Sequence, residues 1–409
     1  MKLHFLFVLL TLFSFNGFAQ NPLEELINKN KTTFGDIFDR PDHYEVQIIY
    51  TQIDRDKNNV PSFTSYHYRP DSIHYFYPAS TVKMPTAFIA LEKLNQLNIK
   101  GLDKLTPMRN GVGTIPQTEA NTDASAKNLL PFIAHYIKKI FLVSDNDAYN
   151  RLYEFVGQEA LNKSLHEKGF TDLRIIHRLS EPGYNQETNK HTNPVTFYKN
   201  DKILYHQGEV YSEAPTNLGL QNEIKGKGYM NNEGKIVNQP FNFFAKNYIS
   251  LQNLHDILKT VLFPESVPAH QRFDLTEEDY QFLYKYMSMM PKASDYPKYD
   301  KPDGYVKFFM YGGDAPIIPE HIKIFNKVGD AYGYLTDVAY IIDTKNKIEF
   351  MLAAAIHVND NQIYNDGVYE YDKVGFPFFK DLGNLIYAEE LKRERAFVPN
   401  FERFFTSKN

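Results

Sequence analysis

The sequence predicts an α+β fold in which antiparallel strands come from the two ends of the chain and helices from its middle. Three observations predict it. Residues 44–50 and 63–68 are runs of β-branched and aromatic residues on either side of a polar turn at 54–59, the pattern of a hairpin. Residues 322–325, 338–342 and 348–357 repeat that pattern as a strand, turn, strand, strand meander. Between them apolar residues recur at helical spacing, as in Val82, Ala87, Phe88, Leu91, Leu94 and Leu97.

In chain order, Met1-Lys2, an apolar run to Phe15 and the small residues Gly17 and Ala19 read as a secretory signal, residues 1–19, with cleavage after Ala19. The run is short for a bilayer span and no other stretch reaches about 18 apolar residues, so no membrane anchor is expected. Residues 20–409 are then a single domain. Residues 23–38 fit an amphipathic helix outside the fold. Pro85 lacks an amide proton, which places the start of the next helix close to Ser80, where that loss matters least. Residues 129–142 fit a buried helical segment. Ser250 caps a helix through Leu251, Leu254, Ile257, Leu258 and Leu262, residues 275–290 give another with acidic residues in its first turn, and 376–395 give the last. Residues 195–248 are aromatic and rich in turn residues with little periodicity, and are expected to be an insertion.

With 409 residues, 43% of them hydrophobic, the chain can bury a large core. A net charge of -5 without a long like-charge run argues against nucleic acid as a partner. The absence of cysteine rules out disulfides, a lipid-modified cysteine at the signal junction and thiolate metal sites. The 13 histidines show no ligand spacing, so no metal and no cofactor are expected. The expected product is a monomer, periplasmic or secreted.

Ser80 and Lys83 stand three residues apart at the start of a helix, which puts both on one face. A serine hydroxyl becomes a strong nucleophile only when a neighbour takes its proton, and a lysine can take it once burial and a second cation have made its ammonium acidic. Alone, the pair equally fits a capped helix N-terminus. Ser144-Asp145-Asn146 follows a buried helix and opens another, which also suits a cap. Lys327-Val328-Gly329 follows the strand 322–325.

In that order the three motifs resemble the class A β-lactamases and penicillin-binding proteins. The resemblance covers about residues 40 to 400 apart from the insertion. It implies an α/β lobe, about 40–78 and 320–400, in which both chain ends share one antiparallel sheet flanked by helices. It also implies an all-helical lobe, about 79–319, with the cleft between the two. Ser80 would be the acylated nucleophile and Lys83 its base. Ser144 would relay a proton to the leaving nitrogen, and Asn146 would hold the substrate's side-chain amide. Lys327 would be the second cation, with Gly329 beside it in the substrate-binding cleft. The amides of Ser80 and Asp330 would form the oxyanion hole. Glu181-Pro182-Gly183-Tyr184-Asn185 resembles the class A loop, with Glu181 activating water for deacylation and Asn185 holding that water.

Two departures stand out. Val328 occupies the place of a hydroxyl residue that binds the substrate carboxylate, and no arginine follows Gly333. The resemblance implies hydrolysis of β-lactams through an acyl-serine. The alternatives are a peptidoglycan-directed DD-peptidase or esterase of the same fold, or a non-catalytic cell-envelope binding protein. The expected partner is a small β-lactam or peptidoglycan-like molecule.

Overall fold

The hairpin and the meander from opposite ends of the chain meet in one five-stranded antiparallel sheet. The computed structural model describes residues 21–114, 118–213, 217–313 and 317–405, so the signal read at 1–19 lies outside the described residues. The strands are β1 (Gln47–Arg55), β2 (Pro61–Tyr68), β3 (Ile322–Ala331), β4 (Tyr334–Asp343) and β5 (Ile348–His357), in the spatial order β3-β4-β5-β1-β2. Strands β3 to β5 are buried along almost their whole length, which explains why β5 carries the continuous apolar run Phe350–Ile356 rather than an alternation.

Successive side chains leave a strand on opposite faces. One face, with Ile48, Ile324, Val328, Ala339 and Leu352, packs against α8 (Phe376–Lys392) through Phe378, Phe379, Leu382 and Ile386, and against α1 (Pro22–Lys29). The other face, with Ile49, Phe325, Val338, Tyr340 and Met351, packs against the helices of the middle of the chain. These are α2 (Lys83–Leu97), α3 (Ile133–Val143), α4 (Asn146–Val156), α5 (Gln158–Glu167), α6 (Leu251–Leu262) and α7 (Glu277–Ser288). On that face Arg55 forks onto Glu349 with two 2.7 Å bonds, and the Tyr340 hydroxyl donates to the same carboxylate at 2.7 Å. Both members of the pair are buried, so Arg55→Met should lower stability by about 3–5 kcal/mol in a denaturant titration, because it strands the Glu349 charge.

Four expectations shift. The N-terminal helix stops at Lys29, a 3-10 turn (Lys31–Phe34) follows, and Gly35, at φ 58°, ends the segment well before 38. The strand expected to finish at 325 runs on to Ala331, because polar Asn326 and Lys327 interrupt its apolar run without interrupting its pairing. The helical half is not all helical. Met108–Asn110, Val195–Lys199 and Lys202–Gln207 form a three-stranded ribbon, so the segment expected as an insertion begins by pairing with residues well before it. Further on, Gly228–Met230 pairs in parallel with Ile363–Tyr364, just past β5. Among the described residues no helix is long and apolar enough to cross a membrane, and no group of histidine and carboxylate side chains is placed to hold a metal.

Candidate active site

Ser80 sits in a 3-10 turn (Ala79–Val82) that leads into α2. Ala79 has φ 47°, and the Thr81 hydroxyl donates to the Pro78 carbonyl at 2.7 Å, which fixes the turn. Pro85 falls in the first turn of α2, where backbone N–H groups have no intrahelical acceptor to lose. Lys83, the first residue of the helix, is fully buried and donates from Nζ to Ser80 Oγ at 2.8 Å. It also reaches Asn146 Oδ1 at 2.7 Å, Ser144 Oγ at 3.1 Å and the Ser144 carbonyl.

The Ser-Asp-Asn tripeptide does two jobs. Ser144 ends α3 in the left-handed region, at φ 54°, and Asp145 is the N-cap of α4, accepting from the Ala148 amide at 2.8 Å. The sharp reversal between the helices turns Ser144 and Asn146 toward Lys83. From the opposite side, Lys327 Nζ donates to Ser144 Oγ at 2.9 Å and to the Val328 carbonyl at 2.7 Å.

Gly329 is where the sheet meets the serine turn. A Cβ there would lie 2.7 Å from both the Pro78 carbonyl and the Ser80 amide nitrogen, so only glycine lets β3 approach this closely. Its place is therefore beside the backbone of the nucleophile. β3 is an edge strand, joined to β4 by the two-residue turn Tyr332-Gly333 with positive φ at both positions. Such a turn closes on a hydrogen-bonded pair, here Ala331 and Tyr334, so alternate residues, Asp330 and Val328, direct their backbone groups away from β4 and along the free edge. The Val328 carbonyl bond to Lys327 agrees with that alternation. The Asp330 amide thus faces the cleft, and Asp330 is among the residues that line it.

Electrostatics follow from burial. Removal from water, and then the Lys327 charge, hold the Lys83 ammonium well below the ordinary lysine range. Burial takes Lys327 down to about 7, against the opposing pull of Asp330 and Asp337. Burial in the cleft raises the Asp330 carboxyl, while Lys327 and Lys83 pull it down; the side chain is open to solvent, which weakens both effects.

The loop carrying Glu181 is held by groups that no spacing pattern in the sequence announces. Asn150 exchanges both bonds with the Leu179 backbone, at 2.8 and 3.1 Å, and Asn189 Oδ1 accepts from the Arg178 amide at 3.0 Å. Arg178 meets Glu154 at 3.1 Å, with both side chains buried. Ser180, at φ 51°, accepts from Asn146 Nδ2 at 2.9 Å. It is therefore Ser180, missed in the sequence, that this loop brings to the Lys83 network. Glu181 lies on the exposed rim of the same cavity and, among the described residues, makes no hydrogen bond to Lys83, Ser80 or Asn185. Asn185 spends its side-chain oxygen on the Thr188 amide at 2.9 Å, capping the local turn.

The cavity measures about 690 Å³ and runs from Ser80, Asn146 and Asp330 to Tyr332, Tyr369, Asn232 and Lys246. Val328 contributes no donor, since its side chain is buried in the cluster facing α8. His177 stacks on Tyr77 at 6.1 Å and is kept neutral, its pKa pushed down to about 3 by burial and then by Lys246.

Residues 37–221, just under half of the chain, match the profile of the β-lactamase enzyme family. A β-lactamase from Sphaerobacter thermophilus DSM 20745 is 12% identical over 91% of this chain and 98% of that chain, with a TM-score of 0.49. PBP-A is 14% identical over 90% and 97%, with a TM-score of 0.49. A β-lactamase from Chitinophaga pinensis DSM 2588 is 10% identical over 90% and 99%, with a TM-score of 0.48. No curated protein matches the sequence.

Proposed function

We propose that the chain is a β-lactamase-type or penicillin-binding serine hydrolase and that it opens a β-lactam or related amide through an acyl-Ser80 intermediate. The observation that carries this reading is a buried lysine, held below its ordinary pKa, with its Nζ 2.8 Å from the serine hydroxyl. Neutral Lys83 takes the Ser80 proton as Oγ bonds to the carbonyl carbon. The amides of Ser80 and Asp330 stabilise the oxyanion that forms. As the carbon–nitrogen bond breaks, the proton passes from Lys83 through Ser144 to the leaving nitrogen. Lys327 supplies the charge that keeps Lys83 neutral, and Asn146 is free to hold a substrate amide once its bond to Ser180 is exchanged. The completeness of this set speaks against a non-catalytic binding protein.

Deacylation is the slower half on this reading, because the Glu181 carboxylate is bonded to none of the reacting groups. That favours penicillin-binding chemistry on a β-lactam or peptidoglycan-like peptide. Full class A hydrolysis is the second reading, supported by the presence of Glu181 on the same cavity as Ser80. Intact mass after mixing with a penicillin separates the two. An adduct that persists on the native protein and never forms on Ser80→Ala is expected. An adduct that vanishes as the drug is consumed gives the second reading, and no adduct at all defeats both. Export belongs to the same proposal, and a secreted protein whose N-terminus is Gln20 is the expected observation.

A further inference from the structure

The cavity at Ser80 lies on the acyl side of the reaction. Asn146 and Asp330 line it, whereas Ser144 and Lys327, which serve the leaving nitrogen, do not. Four charged side chains line it: Arg178, Glu181, Lys246 and Asp330. Arg178 is matched by Glu154, with both side chains buried. The charged groups of the other three form no hydrogen bond or ion pair among the described residues, so two carboxylates stand against one ammonium. That ammonium, of Lys246, lies on the insertion side, 5.8 Å from the Tyr332 ring and 5.9 Å from that of Phe241. A further acceptor is also unmet. His177 lines the same cavity and is only 8% exposed. Its Nδ1 donates to the Arg178 carbonyl at 2.5 Å, which leaves Nε2 of the neutral ring as an acceptor without a partner.

Asp330 is the carboxylate fixed at the chemistry. It follows Gly329, the residue through which β3 lies against the Ser80 turn, and pairs with Leu335 just before the β3–β4 turn closes. Lys83 and Lys327, the cations that act on it, donate instead to Ser80, Ser144, Asn146 and the Val328 carbonyl. Both are pushed toward their neutral forms by burial. One residue thus carries two opposed groups: an amide that stabilises the oxyanion and a carboxylate whose charge works against it.

A cation on the substrate relieves that opposition and meets an unpaired carboxylate at once. The Tyr332 and Tyr369 side chains in the same cavity suit a cation as well, since an aromatic face attracts one. We infer that Asp330 is a specificity-determining residue of this cleft, and that it selects acyl donors bearing an ammonium on the acyl half, with Glu181 on the rim adding to the same field. The inference rests on the acyl-Ser80 reading for the placement of that half.

The test uses Ser80→Ala protein, so that binding is read without chemistry. Two penicillins that differ only by one ammonium, with a phenylglycyl or a phenylacetyl side chain, are titrated calorimetrically. The phenylglycyl compound should bind about 5–10-fold tighter, the scale of a charge-assisted hydrogen bond in a partly solvated site. Adding Asp330→Asn, which keeps the backbone amide and the side-chain size, should bring the two within about 2-fold, and Asp330→Glu should restore part of the preference. Raising salt to about 1 M should shrink the preference in the Ser80→Ala protein and leave the Asp330→Asn protein unaffected, because only a charge pair is screened. Equal affinities in Ser80→Ala, a preference for the phenylacetyl compound, a preference that survives Asp330→Asn, or no binding of either compound would each overturn the inference. Failure of native protein to form an acyl adduct would instead overturn the acyl-Ser80 reading, and an ammonium preference lost in Asp330→Asn would still stand.

Discussion

Lys83→Met should slow acylation of Ser80 by about 10²–10⁴-fold, the range that a positioned general base supplies. The side chain fills a buried space, so methionine keeps the volume while removing the proton acceptor. The pH dependence of kcat/KM gives a second reading of the same network. Lys83 acts only when neutral, and burial with the Lys327 charge keeps it neutral well below the ordinary lysine range. Protonation of Lys83 therefore sets the acid limb. Lys327 loses its own charge as pH rises through about 7, and with it the positive field that the cleft offers to the anion forming at the reacting carbonyl. The rate should then fall above about 7, and Lys327→Met should flatten that alkaline limb while lowering the maximum. A profile unchanged across neutrality in both proteins would sink this assignment, as would a Lys83→Met variant that acylates at the native rate.

Gly329→Ala is the other change with a large expected effect. The added methyl would sit 2.7 Å from the Pro78 carbonyl and from the Ser80 amide nitrogen, both of them backbone atoms. Neither can swing aside as a flexible side chain would, so β3 and the Ser80 turn must separate. Overpacking of this kind costs about 1–3 kcal/mol of stability. The separation also widens the gap between the Ser80 and Asp330 amides, and misplacement of about 1 Å at a reacting centre can cost about 10²-fold in rate. Thermal melts and the rate of adduct formation should therefore fall together. A variant with native acylation and a native melting temperature would show that the strand and the turn are not in this contact.

Much of the sheet was legible because strand signals are local. The hairpin at 44–68 and the meander after 322 carry β-branched and aromatic runs broken by turn residues, and those runs became β1 to β5. The caps at Ser250 and Asp145 were legible for a similar reason, since a cap is written in one residue and the amides that follow it. The extent of β3 was not. Lys327 and Gly329 look like the end of a strand, and only pairing with Val338 and Thr336 keeps them inside one.

The site divides along the same line. By itself, the sequence determined the chemical parts: a serine and a lysine one helical turn apart, a capping tripeptide between two helices, a lysine and a glycine on a late strand. Their order along the chain established the resemblance. Only the tertiary structure decided which of them meet. It put Ser144 between two lysines and turned Asn146 to Ser180. It left Glu181 on the rim and engaged Asn185 in a local turn. It also brought Lys246, more than 160 positions after Ser80, into the same cavity. The physical reason is range. Helix caps, turns and strand patterns depend on neighbours a few residues away, whereas the pKa of a buried lysine and the charge balance of a cleft depend on groups that only packing brings within a few ångströms.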